Sequence, residues 1–333
     1  MSPICPISPI SPISPMSPTR VFIKSATQIS IQQPLSEEWA TAPIAPTEPY
    51  TRCLDPNFRE WLNPLESRRM GKILKRALVT ALKVMRDSGI SQLDAIITGT
   101  GLGCIENTEL FLDQLCQEGE EMLKPTHFMQ STHNTISSLI AIHTHCHGYN
   151  TTYSHKGISF ESALLDAVTQ LRLGDIQTAL VTANDEMTPT TFRILQRAGY
   201  VGQPQQVTAS EASVAMMLTT DPTDALCELE SISIALLPES PDLPDLPESP
   251  APLLVLGNNG VAFNDQLYTQ IAARLPHAQH FDYKRLFGEG YSSSALGVYA
   301  AAHLLHQGKA QRALFVNHSD NTHVAYITLK RLQ

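Results

Sequence analysis

Three histidines and a cysteine near the middle of the chain are of the residue types that bind metal ions. His143, His145, Cys146 and His147 lie within five consecutive positions. On a helix only His143 and His147 share a face, at i and i+4, so further ligands would have to come from elsewhere. The alternative is the end of a packed helix with its histidines partly exposed or hydrogen-bonded. We expect this alternative, with no metal bound.

A glycine-rich turn invites a nucleotide-binding interpretation. Gly99, Gly101 and Gly103 follow a short apolar run. Their spacing is G-x-G-x-G rather than the dinucleotide pattern G-x-G-x-x-G, and no acidic residue follows a second strand at the required distance. We therefore predict a tight turn with close backbone packing, and no cofactor.

Two cysteines and one oppositely charged pair are the remaining residues that could take part in chemistry. Cys104 lies in the glycine turn and Cys146 in a predicted helix, so both are expected to be buried structural cysteines rather than nucleophiles. Lys284 and Glu289 stand five residues apart and could form an acid–base pair. A structural ion pair is the favoured alternative.

Alternating strands and helices must position these residues. The predicted strands are residues 21–30, 94–98, 151–154, 179–183, 212–219, 226–236, 253–256, 312–317 and 323–329. The predicted helices are residues 67–88, 134–146, 158–173, 263–274 and 292–306, the first with apolar residues at i, i+3 and i+4. Two similar strand–helix sets in series predict an α/β chain of two half-domains, with helices outside the sheets and between them.

The domain boundaries follow from composition. We expect one half over residues 20–190 and the other over residues 191–333. Residues 1–19 repeat Ser-Pro-Ile and are predicted to be a disordered tail, because proline removes backbone donors; translation from Met16 is an alternative. Residues 238–252 alternate acidic residues with prolines and predict a surface loop in the second half.

Charge and composition restrict the binding partners and the cellular compartment that we expect. The formal charge of −9 argues against nucleic acid and against an anionic membrane surface. An acidic carrier protein would also be repelled at long range, so carrier docking needs a local basic patch. The six cysteines form no CxxC pair, and no apolar run approaches the roughly 20 residues that span a bilayer. We find no export signal and expect a reduced, cytoplasmic protein.

Several motifs in order resemble the β-ketoacyl synthases, a thiolase-like family. The resemblance covers roughly residues 21–331 and implies two similar αβα half-domains in an α-β-α-β-α layering. It is carried by the turn Gly99-Thr100-Gly101-Leu102-Gly103-Cys104, by Glu66-Ser67-Arg68-Arg69-Met70 at the head of a long helix, by Asn134, by Gly148, and by Gly174-Asp175 with Ala183-Asn184-Asp185-Glu186.

The departures from this family fall at its catalytic positions. Counting back from Gly174 or forward from Gly148 places Gly157 where the family has its nucleophilic cysteine. Gly257 takes the place of the first histidine and Glu289 that of the second, while the family's lysine persists as Lys284. The closing glycine-rich loop becomes Asn317-His318-Ser319-Asp320-Asn321. Without a thiolate to hold the acyl chain and donors to stabilise the enolate, condensation by the usual route is not expected.

The resemblance therefore implies a degenerate, chain-length-factor-like subunit. Such subunits do no chemistry; they pair with an active β-ketoacyl synthase as heterodimers, stabilise it and help to shape the pocket for the growing chain, and the complex meets an acyl carrier protein. A homodimer is the alternative. The implied interface is the helix from Asn134, including Leu139, together with Thr151, Thr152 and Ser154. Ile136 and Ile140 are expected to be buried there as well. The resemblance also suggests an aryl polyene or related polyketide-type pathway.

Two residues and two rival functions remain open. Phe128 and Met129 sit where family members line the partner's acyl tunnel, with ordinary core packing as the alternative. One rival is a hydrolase, decarboxylase or acyltransferase using Glu289, Lys284 or His155. The other is a stand-alone acyl-binding module.

Overall fold

The computed structural model describes residues 19–120, 123, 125–237, 253–319 and 322–332. Its strands are β1 (Val21–Ile29), β2 (Tyr50–Thr51), β3 (Ala95–Gly99), β4 (Tyr149–Tyr153), β5 (Thr178–Asp185), β6 (Ala209–Ser210), β7 (Ala212–Thr219), β8 (Cys227–Leu236), β9 (Leu253–Leu256), β10 (Gln279–Asp282), β11 (Arg312–Ser319) and β12 (His323–Lys330). Its α-helices are α1 (Pro64–Ser67), α2 (Lys72–Ser88), α3 (Ile105–Glu118), α4 (Pro125–Ser131), α5 (Thr135–Thr144), α6 (Ser159–Leu173), α7 (Pro189–Arg197), α8 (Ala262–Arg274), α9 (Tyr283–Phe287) and α10 (Ser293–His306). The predicted loop 238–252 and nearly all of the predicted tail 1–19 lie outside the described residues.

The large sheet consists of two five-stranded sets with the same internal order. The first set runs β4-β3-β5-β7-β1 and the second runs β10-β9-β11-β12-β8. If the strands of each set are numbered along the chain, both read 3-2-4-5-1. The sets join where β1 pairs antiparallel with β8 over only three residues. This repeat confirms the expectation of two similar halves. Strand β7 comes after residue 190 in the sequence, where we expected the second half to begin, yet it lies in the first set.

Helices cover the outer faces of both sets and fill the space between them. The outer cluster on the first set contains Ile73 and Leu74 of α2 and Ile136 and Ile140 of α5. Helix α8 packs on the outer face of the second set through Tyr268 and Ile271. Helices α6 and α10 lie in the central cluster, where each contacts strands of both sets. The result is the thiolase-like α-β-α-β-α layering.

Most predicted elements are present within a residue or two, and the exceptions have local causes. The helix predicted from residue 67 begins at Lys72, because α1 ends at Ser67 and Gly71 adopts an extended N-cap conformation. It ends at Gly89, whose φ of 69° is the left-handed conformation that glycine adopts easily. Helix α5 ends at Thr144, with His145 left-handed at φ 53°.

Candidate functional site

The glycine turn after β3 is occupied by a carboxylate of the protein itself. The Asp185 carboxylate accepts hydrogen bonds from the backbone N–H groups of Gly101 (2.9 Å) and Leu102 (2.7 Å). It also accepts from the hydroxyls of Thr100 (3.1 Å) and Ser292 (2.5 Å). Burial raises the pKa of Asp185 despite these donors. Because the N–H donors of the turn are already bonded to the Asp185 carboxylate, the prediction of a packed turn rather than a nucleotide site is confirmed.

The cysteines and the histidine cluster do not form a reactive or metal-binding site. Cys104 is fully buried, and this burial raises the pKa of its thiol, which disfavours the thiolate. The Cys146 thiol lies 3.3 Å from the carbonyl oxygen of Leu93. Since α5 ends at Thr144, His143 and His147 do not share a helical face. Among the described residues, no three His, Cys, Asp or Glu side chains are grouped so that they could hold a metal ion.

The positions that the resemblance assigns to catalysis converge on one cavity. A cavity of about 460 Å³ is lined by Gly157, Gly257, Lys284 and Glu289, which are far apart in sequence. His155 is not among its lining residues; its Nδ1 lies 2.9 Å from the Ser162 hydroxyl on α6. The rival interpretation that places His155 in this pocket is therefore wrong.

Glu289 and Lys284 form an ion pair on the floor of the cavity. Lys284 Nζ lies 3.0 Å from Glu289 Oε2, and the two side chains are only 9% and 17% exposed. Glu289 Oε2 also accepts a hydrogen bond from Asn259 Nδ2 at 2.8 Å. The predicted ion pair is confirmed. A carboxylate held in this way accepts hydrogen bonds, so it cannot donate one to a developing enolate as a histidine would.

The space beside Gly257 is filled by two phenols. A Cβ atom added at Gly257 would lie 2.6 Å from the Tyr268 hydroxyl oxygen and 2.8 Å from that of Tyr283. Such distances are too short for any side chain without movement of both buried tyrosines. Tyr283 donates a hydrogen bond to Asn317 Oδ1 at 3.1 Å, which fixes its position. An imidazole at position 257 has no room.

Gly157 lies beneath Ser319 rather than beneath an empty site. A Cβ atom added at Gly157 would lie 3.0 Å from Ser319 Oγ. The Gly157 carbonyl accepts a hydrogen bond from Asn317 Nδ2 at 2.9 Å. Both Ser319 and Asn317 belong to β11, so the segment that replaces the family's closing loop also covers the former nucleophile position.

A buried carboxyl group supports this part of the cavity and was not predicted. Glu161, in the first turn of α6, accepts hydrogen bonds from Asn317 Nδ2 (2.7 Å) and Ser294 Oγ (3.1 Å). Complete burial raises the pKa of Glu161 to about 7, although these donors and the Lys284 charge oppose the shift. Its position between Phe160 and the run Ala163-Leu164-Leu165, four residues after Gly157, was the available signal.

His318 is a second residue that the sequence interpretation left without a role. It lines the cavity, packs against Tyr268 with ring centroids 4.8 Å apart, and has Nε2 2.9 Å from the carbonyl oxygen of Asn264. Burial lowers the pKa of His318. Since a carbonyl can only accept, Nε2 carries the proton in the neutral ring and Nδ1 is an acceptor.

Strand β4 forms one edge of the described sheet and carries the expected interface residues. It pairs with β3 on one side only. Thr151 and Thr152 are half-buried in this strand, Ser154 follows it, and Asn134 is exposed at the N-cap of α5. Leu139 packs partly on the outer core, whereas Ile136 and Ile140 are fully buried inside it. The expectation that these two isoleucines await a partner is wrong, because they face the chain's own sheet.

Large apolar side chains are exposed on the elements beside this edge. Phe128 is 58% exposed, Met129 70%, Ile142 70% and Tyr149 43%. Core packing of Phe128 and Met129 is therefore excluded, although Phe128 contacts Phe111 of α3. Ile142 belongs to the same surface and was missed, because helical periodicity alone does not say which face a partner covers.

Comparison with known proteins agrees with this geometry. The model of the β-ketoacyl synthase N-terminal domain matches residues 37–241. No functionally curated protein matches the sequence. The structure is similar to the ishigamide ketosynthase/chain length factor, with 15% identity, a TM-score of 0.79, and coverage of 95% of this chain and 100% of that chain.

Two further complexes show the same fold. The type II polyketide synthase complex AntDE:AntF, an acyl-carrier protein with its ketosynthase bound to the hexaketide, has a chain 11% identical with a TM-score of 0.77, covering 95% of this chain and 100% of that one. The ketosynthase ApeO in complex with its chain length factor ApeC, from Xenorhabdus doucetiae, gives 11% identity, a TM-score of 0.75, and coverage of 94% and 98%. None of the helices in the described part of the chain is both long and apolar enough to cross a membrane. Because the family model covers more than half of the sequence and the whole fold agrees with it, this chain belongs to the β-ketoacyl synthase family.

Proposed function

We propose that this chain is a non-catalytic, chain-length-factor-like subunit that pairs with an active β-ketoacyl synthase in fatty-acid or polyketide-type biosynthesis. The observation that carries the proposal is the cavity in which glycine, glycine and a paired carboxylate occupy the three catalytic positions. Decarboxylative condensation needs an acyl-bearing thiolate and donors to the enolate oxygen. Among the described residues that line the cavity there is no cysteine, and Gly257 and Glu289 offer no side-chain donor at the positions that the resemblance assigns to the family's histidines. An aryl polyene pathway is the specific candidate that we retain.

The surface beside β4 supports pairing with a second chain. An unpaired edge strand offers backbone hydrogen bonds to another strand, and exposed apolar side chains on both sides would be buried with it. From Pro125 to Phe160 the chain has no Asp or Glu, although its formal charge is −9. This acid-free stretch contains α4, α5 and β4, so an acidic partner would meet little repulsion there. The active synthase is the partner that we assign to this edge.

A basic stretch around the motif Glu66-Ser67-Arg68-Arg69-Met70 supports contact with an acyl carrier protein. Nine of the 23 Lys and Arg residues lie between Arg52 and Arg86, against three acidic residues. Arg68, Arg69 and Lys72 are exposed. An acidic carrier repelled by the chain as a whole would be attracted here, and this is the local basic patch that carrier docking requires.

The pairing is tested by co-expression with an intact synthase encoded nearby and co-purification of the two chains. Ile142→Asp should weaken the complex by at least about tenfold, because it places a charge in the proposed interface. Ile194→Asp is the matched control, since Ile194 is also an exposed helical isoleucine, 61% exposed, but lies on α7. Equal complex formation by both variants, or failure of any intact synthase to co-purify, would overturn the pairing.

The absence of condensing chemistry is tested separately by intact-mass analysis. The purified chain should remain unmodified after incubation with acyl-carrier and acyl-CoA thioesters. Gly157→Cys should become acylated at most, without condensation, because Gly257 and Glu289 still supply no donors. Robust turnover by this single variant would show that the active site lies elsewhere.

The open cavity favours one alternative, a stand-alone acyl-binding module. An enzyme of altered chemistry is the other rival, with Glu289 and Lys284 as its acid–base pair. A gene with no synthase nearby, together with saturable thioester binding by the isolated chain, would favour the module. Turnover that is lost in Glu289→Gln would favour the altered enzyme.

A further inference from the structure

The floor of the cavity is electrically neutral but rich in hydrogen-bonding groups. Lys284 and Glu289 carry opposite charges 3.0 Å apart. Both hydrogen bonds to the Glu289 carboxylate are accepted by Oε2, and Oε1 accepts none from a described residue. An ammonium group has three N–H donors. The ion pair thus satisfies its charges internally while keeping donors and an acceptor available to a ligand.

Two hydroxyl groups beside the ion pair are also uncommitted. The Tyr268 hydroxyl oxygen accepts a hydrogen bond from the backbone N–H of His318 at 3.3 Å. The hydroxyl proton of Tyr268 is donated to no described acceptor. Tyr268 is only 1% exposed, so bulk water does not satisfy that proton. The Ser319 hydroxyl, above Gly157, makes no hydrogen bond with another described side chain. The buried Tyr268 hydroxyl proton lacks an acceptor, which is unfavourable, whereas Ser319 is half-buried; a ligand atom in the cavity would accept from either hydroxyl.

The walls and the mouth of the cavity include apolar side chains as well as polar ones. Met187, Leu195, Val201, Val261 and Phe263 line it, and Phe263 is 68% exposed at the surface. A volume of about 460 Å³ is within the range of small-molecule sites. These apolar side chains over a polar floor fit an amphipathic molecule that enters with its polar end first.

We propose that this cavity binds, without a covalent bond, a neutral amphipathic molecule whose polar end both donates and accepts hydrogen bonds, such as a primary amide. A charged end would lose its hydration and meet one like charge of the ion pair. An ester or thioester end can accept but not donate, and leaves Glu289 Oε1 unpaired. This inference does not depend on pairing with a synthase.

The test is a series of eight-carbon probes that differ only at the polar end. Octanamide, methyl octanoate, octanoate and octylammonium are titrated into the full chain and followed by calorimetry. Octanamide should bind about tenfold more tightly than methyl octanoate, the loss expected for one hydrogen bond to a charged group, and more tightly still than either ion. No binding by octanamide, or equal binding of all four probes, would overturn the proposal.

Two variants reverse the predicted preference. Glu289→Gln leaves Lys284 as a net cation and should shift the preference to octanoate. Lys284→Met leaves a net anion and should shift it to octylammonium. The controls are Glu38→Gln and Lys309→Met, exposed residues outside the cavity that should leave the order of the probes unchanged. Each variant is checked by thermal melting, and a folded Glu289→Gln that still prefers octanamide would also overturn the proposal.

Discussion

The turns that follow β3 and β9 occupy equivalent places in the two halves, but the first is closed by packing and the second opens on the cavity. In both, an aspartate takes two consecutive backbone N–H groups: Asp185 those of Gly101 and Leu102, and Asp265 those of Asn259 (2.9 Å) and Gly260 (3.0 Å). The first turn is sealed, with Asp185 only 5% exposed. The second turn opens on the cavity through Gly257 and Asn259. The same arrangement of an aspartate and two backbone N–H groups can therefore lie in a closed core or beside a cavity, depending on which side chains pack over it.

The largest expected effect is at the sealed turn. Asp185→Ala leaves two backbone N–H groups and two hydroxyls without a buried acceptor, and should lower the free energy of unfolding by about 4 kcal/mol. Asp265→Ala, at a half-buried carboxylate in the first turn of α8, should lower it by only about 1 kcal/mol. Urea denaturation followed by tryptophan fluorescence measures both. Equal losses would show that the two turns are energetically alike.

The second prediction compares the two glycines of the cavity. Gly257→Ala should lower the free energy of unfolding by about 2 kcal/mol, because its Cβ meets two buried phenols. Gly157→Ala should change it by less than about 1 kcal/mol, since the nearest atom is the end of the Ser319 side chain at 3.0 Å. The same denaturation experiment applies. A larger loss at Gly157 would mean that Ser319 cannot move.

The residues that define the cavity differ in how far sequence could predict them. Gly157, Gly257 and Glu289 were singled out by counting from the motifs that resemble the β-ketoacyl synthases, and the cavity brings these distant positions together. Ser319 and Tyr268 could not be assigned in this way. Their roles depend on which side chains fill the volume that a smaller residue leaves, and that is a property of tertiary packing.

The surface beside β4 shows the same limit. The edge strand itself was predicted within two residues, as β-propensity and the helix that follows allow. Helical periodicity placed Ile136 and Ile140 on one face of α5 but could not say that this face covers the chain's own sheet. Ile142, on the opposite face, is the exposed residue.

A further prediction concerns pH and two buried carboxyl groups, one in contact with Asn317 of the cavity wall and one next to Asp185 of the sealed turn. Burial raises the pKa of Glu161 and of Glu186 to about 7 from an ordinary value of 4.5. Between these values the folded protein keeps protons that the unfolded chain has lost, so stability should fall as pH rises from 4.5 to 7. The fall saturates above pH 7 and amounts to at most a few kcal/mol for each group.

Glutamine substitution separates the two contributions. Glu161→Gln should remove its share of the pH dependence while Glu186 keeps its own, and the double variant should lose both shares, leaving the contributions of other groups with shifted pKa values such as Asp185 and His318. Free energies of unfolding at a series of pH values measure this. A slope unchanged in Glu161→Gln would show that Glu161 ionises normally in the folded protein.

The two tyrosine hydroxyls over Gly257 also bear on the mutational history of the chain. A lineage that lost its histidine here and then filled the space with Tyr268 and Tyr283 cannot regain catalysis by single reversions. A histidine restored at residue 257 clashes until both aromatic side chains retreat, while Tyr283 is held by Asn317, which also supports Gly157 and Glu161. Each backward step is harmful unless the others have already happened. For a chain with the non-condensing role that we propose, a single substitution at residue 257 would therefore not restore condensing chemistry.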